Sequence, residues 1–94
     1  MPTLVVRHRV RDYDAWKPVF DEHEAVRRDH GARGHRVFRS LEDPNDVYVA
    51  VDFESESELR GFVGDPTLRE GMERAGVEGE PNIGVLERAE EKRY

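Results

Sequence analysis

Residues 12–31, DYDAWKPVFDEHEAVRRDHG, decide the fold. At 100° per residue Trp16, Val19, Phe20 and Val26 fall on one side, with Tyr13 at its edge, and predict one amphipathic helix. His23 and His30 fall at the centre of the same stripe, and Arg27 lies close beside them. A stripe that begins with Trp and Phe and ends with His, Arg and His is either unusually polar core or the wall of a pocket. Asp12 or Asp14 can cap the helix, and an acidic first turn suits its dipole. Pro18 would remove a hydrogen bond to Asp14, so an irregular first turn and a regular helix from about Ala15 are expected. Gly31 ends it.

On the N-terminal side, Thr3–Val10 reads as a strand, with Leu4, Val6, His8 and Val10 on one face and Thr3, Val5, Arg7 and Arg9 on the other. On the C-terminal side, His35–Leu41 is a second strand, and Glu42–Asp46 is a polar connection of hairpin length. Val47–Phe53 is the strongest strand: Val47, Val49, Val51 and Phe53 form one apolar face, Tyr48, Ala50 and Asp52 the other. Ser55 and Glu58 form a capping box before Leu59, Phe62 and Val63. Asp65-Pro66 restarts the helix in a new direction, with Leu68, Met72 and Ala75 inward and Gly76 as the stop. After a loop over Val77–Pro81, Asn82–Arg88 makes the last strand.

The order strand, helix, strand, strand, helix, strand defines an α+β protein of ferredoxin-like βαββαβ type, with both helices on one face of a four-stranded antiparallel sheet. The other face is partly apolar and predicts a partner. A second copy packed sheet to sheet about a two-fold axis is the simplest one.

Composition narrows the function classes. Ninety-four residues make a single domain over 1–94, with 88–94 expected to be a flexible tail. The net charge of −6 argues against a nucleic-acid partner, which needs a basic face. Cysteine is absent, so there is no thiolate nucleophile and no cluster ligand for electron transfer, and a reducing compartment fits. MPTLVVRHRV lacks the layout of a secretory leader, and no run approaches the ~20 apolar residues of a membrane span; a soluble cytoplasmic protein is expected. Of the four histidines, His23 and His30 are two turns apart, outside the i,i+3 or i,i+4 spacing of helical metal pairs, so no metal is expected. There is no phosphate loop and no serine-nucleophile motif.

The run VRHRVRDYDAWKPVFDEHEAVRRDHGARGHRVFRSLEDPNDVYVAVDF (6–53), followed by LREGMERAGV (68–77) and a proline-containing lead into the last strand, resembles the antibiotic biosynthesis monooxygenase-like proteins of the dimeric α/β-barrel superfamily. The resemblance covers nearly the whole chain and implies the sheet-to-sheet dimer and a cavity between helices and sheet. It does not name a chemistry, because one fold hosts many. Haem-degrading members pair an Asn on the first strand with a Trp and a His on the second helix. Here the first strand offers His8, and residues 57–76 contain neither Trp nor His. Cofactor-free quinone-forming members use an Asn, a Trp and a Tyr in the cavity. The only Trp here is Trp16, on the first helix, so that set does not transfer.

The candidate site follows from the first helix. His23 is the candidate catalytic residue, either a general base or hydrogen-bond donor to a ligand oxygen, or a packed histidine satisfied by a neighbour. Trp16 and Phe20 would line the apolar wall of the ligand site. Arg27 is a further ligand-binding candidate, although a helix C-terminus favours cations and accounts for both it and His30. His8, His35 and Tyr48 are ligand-binding candidates whose sheet face the pattern leaves open. The expectation is a small, apolar, polyketide-like or aromatic ligand, handled without a cofactor by an oxygenase, cyclase or isomerase. The alternative is a non-catalytic ligand-binding or stress-related module of the same architecture.

Overall fold

Val47, Val49, Val51 and Phe53 are all buried along one face of β3 (Asp46–Phe53). β1 (Pro2–Val10) runs antiparallel to it, with Leu4 opposite Val51, Val6 opposite Val49 and His8 opposite Val47. Directly paired residues share a face, so Leu4, Val6, His8 and Val10 join the same buried layer. β2 (Ala32–Arg39) pairs with the other edge of β3, and β4 (Val77–Glu87) with the other edge of β1. The sheet order is β2-β3-β1-β4, antiparallel throughout. These coordinates, a computed structural model, describe residues 1–94.

The helices lie over that buried face: α1 (Tyr13–Glu22) and α2 (Glu24–Asp29) between β1 and β2, α3 (Glu56–Val63) and α4 (Pro66–Arg74) between β3 and β4. Trp16, Leu59, Phe62 and Ala75 supply their buried contacts. This is the expected ferredoxin-like α+β architecture. Ser55 caps α3 through Glu58 N, and Asp65 caps α4 through Thr67 N, each bond contributing about 1 kcal/mol. Gly31 takes φ 90°, a left-handed conformation that side chains with a Cβ rarely adopt, so glycine is favoured where α2 turns into β2.

Three local expectations are corrected. The first helix is regular from Tyr13, because Asp12 caps it and Asn45 Oδ1 accepts from Tyr13 N–H. Pro18 is tolerated inside it: Pro18 and Asp14 are both exposed, so water can reach the carbonyl that loses its partner. That helix is also not continuous to Gly31; it breaks at His23, whose N–H turns back to Phe20 O at 3.2 Å. Third, β4 starts at Val77 rather than after Pro81. Between the pairs Arg7–Asn82 and Arg9–Glu78 it bulges, with Gly79 at φ 71°, and because β4 is an edge strand Pro81 can lie in it. Arg88–Tyr94 carries no helix or strand. No helix is long and apolar enough to cross a membrane.

Candidate functional site

Between the helices and the inner sheet face is a cavity of about 70 Å³. At roughly 10–15 Å³ for one water, it has room for several waters or a compact organic group. Twelve of its sixteen lining residues are hydrophobic, and its only polar side chains are His8, His23 and Arg27. Strand alternation on β1 places His8 there, and the inner faces of α1 and α2 place His23 and Arg27.

His8 is 6% exposed, and neither ring nitrogen has a hydrogen-bond partner. It faces inward with Leu4 and Val6, edge-on to Trp16 at 5.7 Å between centroids. Its place on β1 is where the register with β4 shifts, so β4 has no residue directly paired with it. Desolvation pushes its pKa down to about 4, and the ring is neutral at pH 7. A buried polar ring without a partner is expensive unless something else meets it.

His23 is half-buried, and its Nδ1 lies 3.1 Å from Val19 O. A carbonyl can only accept, so Nδ1 carries the proton and, in the neutral ring, Nε2 carries the lone pair. The helix break makes this bond possible, because in an unbroken helix Val19 O would accept from His23 N–H instead. Nε2 has no protein partner and lies against Gly71 of α4, where an added Cβ would come within 2.7 Å of it. Glycine at 71 is thus what lets the ring seat. The backbone anchor that the sequence leaves open as one alternative is present on one nitrogen only.

Arg27 is the finding that periodicity understates. It is 4% exposed, not a solvated helix-end cation. Nη1 donates to Phe20 O at 2.9 Å, the guanidinium lies 3.8 Å from the centroid of the Phe20 ring, and Nη2 is buried without a partner. Burial holds its pKa below the usual arginine value, against the distant pull of Glu24 and Asp21. Phe20 stacks in turn on Trp16 at 4.8 Å, so the two expected wall residues form one aromatic stack on the cavity.

The remaining candidates separate. His35 is on the helix-facing side of β2, opposite Val51, and edge-on to Phe20 at 5.0 Å. It is exposed and lines a polar cleft next to the cavity instead of the cavity itself. Tyr48 points to the opposite face of the sheet, opposite Arg7, whose guanidinium lies over its ring. The alternation of β3 forces this, since Val47 and Val49 are inside, so Tyr48 is corrected out of the cavity. His30 is explained by more than the helix dipole: its Nε2 bonds Asp65 Oδ2 at 2.8 Å, tying the end of α2 to the cap of α4. No group of three or more His, Cys, Asp or Glu comes together that could hold a metal. A signal for His8 was present in the sequence: pairing the two most apolar strand faces, Leu4-Val6-Val10 and Val47-Val49-Val51-Phe53, puts it inside.

This α+β fold, with its sheet of order β2-β3-β1-β4, matches that of structures described as antibiotic biosynthesis monooxygenases. One structure described as an antibiotic biosynthesis monooxygenase superposes with TM-score 0.73 at 10% identity, over 96% of this chain and 100% of that one. A variant of SnoaB, a cofactor-independent oxygenase from Streptomyces nogalater, superposes with TM-score 0.78 at 17% identity, over 96% and 94% of the two chains. Rv0793 from Mycobacterium tuberculosis gives TM-score 0.69 at 16% identity, over 99% and 100%. No family model matches the sequence, and no curated protein matches it. At these identities the likeness is one of fold.

Proposed function

We propose that this chain binds a small, largely apolar organic molecule in the cavity and catalyses a cofactor-free oxygenation, cyclisation or isomerisation that begins with proton movement at His23. The observation that carries the reading is the state of His23: Nδ1–H is held by Val19 O, and the Nε2 lone pair is left unpaired on the wall of an apolar cavity. That arrangement fixes the tautomer a general base needs. Trp16 and Phe20 supply the flat apolar wall, and neutral His8 can donate or accept one hydrogen bond to the ligand. The cofactor-independent oxygenase among the proteins of this fold supports the same class of chemistry.

His23→Asn tests the assignment, because an amide N–H can replace the bond to Val19 O while the base is lost. With a ligand identified from material co-purifying with the protein, binding should stay within a few-fold while turnover falls about 10²–10⁴-fold. Unchanged turnover would remove His23 from the reaction. Ligand binding with no turnover in the native protein would favour a binding module instead.

The protein is also proposed to act as a homodimer through the outer sheet face. There Val5 and Ala50 are flanked by Tyr48 and by Phe38 and Leu86, which are 54% and 50% exposed. Light scattering at micromolar concentration should give twice the 10.9 kDa chain mass, and Phe38→Glu with Leu86→Glu should halve it. A native protein that runs as a monomer would exclude the sheet-to-sheet arrangement.

A further inference from the structure

A buried cation without a counter-ion calls for one. Arg27 is 4% exposed, forms no ion pair, and is held by one main-chain carbonyl and one ring face, with Nη2 left over. Buried charges are ordinarily paired, because the desolvation of an unpaired one costs several kcal/mol. Its location shows where the missing charge would sit. Arg27 lines the apolar cavity and also an open cleft formed with Arg28, Arg33, His35, Glu24 and Val51. In that cleft Arg33 is paired with Glu54 and Arg28 with Glu24. Arg27 is left as the cation at the junction of the two spaces without a carboxylate.

We infer that the ligand is an organic acid with an apolar body, its hydrocarbon part in the cavity against Trp16 and Phe20 and its carboxylate at the junction, accepting from Nη2 of Arg27. This rests on the reading of the cavity as the ligand site and adds the charge and orientation of what enters. The anion comes in through the polar cleft, and the apolar end goes in first. A guanidinium suits the task because it is planar, remains charged and offers several donors in a fixed fork. Arg27 is thus a binding and orienting residue that would set which end of the ligand reaches His23.

Trp16 is the only tryptophan and lines the cavity, so its fluorescence reports occupancy directly. The native chain is titrated with cyclohexanecarboxylate and with its neutral counterpart cyclohexylmethanol, with calorimetry in parallel. The carboxylate should bind roughly tenfold or more tightly than the alcohol, as expected of a hydrogen bond to a charged group. Arg27→Met, which keeps the length and apolar stem, should abolish that preference while leaving alcohol binding in place, and Arg27→Lys should retain part of it. Circular dichroism checks that each variant is folded. Equal binding of acid and alcohol by the native chain overturns the inference and leaves the cavity reading standing. A preference that survives in Arg27→Met overturns the assignment of Arg27. Failure of both compounds to perturb Trp16 or release heat up to millimolar concentration overturns the inference together with the cavity reading.

Discussion

His8→Leu should leave the protein at least as stable at pH 7 as the native chain, with a gain of about 1–3 kcal/mol. A substitution in the middle of a buried sheet face normally destabilises, so the sign is the test. Both ring nitrogens of His8 are buried without partners, and leucine of similar volume removes that unmet polarity while keeping contact with Trp16. The same change should flatten the acid limb of stability. The His8 pKa falls from its ordinary 6.5 to about 4 in the folded chain. Between those values the unfolded state binds the proton more readily, so native stability is fully present above about pH 6.5 and is lost as pH falls toward 4. At 1.36 kcal/mol per pKa unit this amounts to about 3 kcal/mol. Asp65, held down to about 2 first by the Thr67 N–H bond and then by His30, loses its contribution only below the ordinary carboxylate range, so the two windows separate. Urea denaturation at pH 7, 5.5 and 4 should show an advantage for His8→Leu that widens as pH falls toward 4, with the two curves drawing closer as pH rises toward neutral. Parallel loss in both proteins would overturn it.

Phe53→Ala, on the same inner sheet face, should do the reverse and cost about 3–5 kcal/mol. Phe53 is fully buried at the end of β3, packs against Phe62 at 5.6 Å between centroids, and has no polar atom to be relieved of. The loss combines the transfer of a large side chain with the cavity left behind. Small domains have only about 5–15 kcal/mol in total, so the variant should be largely unfolded well below the native midpoint. Leu41→Ala is the control: the residue is fully exposed in the β2–β3 connection, and its change should stay within about 0.5 kcal/mol. Thermal melts of the three proteins check the ordering, and a Phe53→Ala midpoint close to that of Leu41→Ala would show that the inner face is not the core. The contrast with His8 separates what that face does for stability from what it gives up at the cavity.

Much of this was legible in the chain. Alternation in Val47–Phe53 and Leu4–Val10, the caps at Ser55 and Asp65, and the stop at Gly31 are local signals, carried by residues a few positions apart. They were enough for element order, and element order with a hairpin in the middle was enough for the fold. Of the candidate site, Trp16, Phe20, His23, Arg27 and His8 all line the cavity, whereas His35 lies beside it and Tyr48 behind the sheet.

The tertiary structure decided what depends on groups far apart in sequence or on the competition for single carbonyls. Helical spacing places His23 on the inner stripe, but it cannot show that the helix breaks there, freeing Val19 O for the His23 ring while Phe20 O takes the His23 N–H and the Arg27 guanidinium. It makes Arg27 an ordinary helix-end cation, because the dipole is local while its burial is set by packing on Phe20 and over the sheet. His30 finds Asp65 thirty-five residues away. Fold class is the sum of many short-range preferences that agree, and sequence records those. Which polar group is left without a partner is a balance struck across the whole core, and only the packed chain contains it.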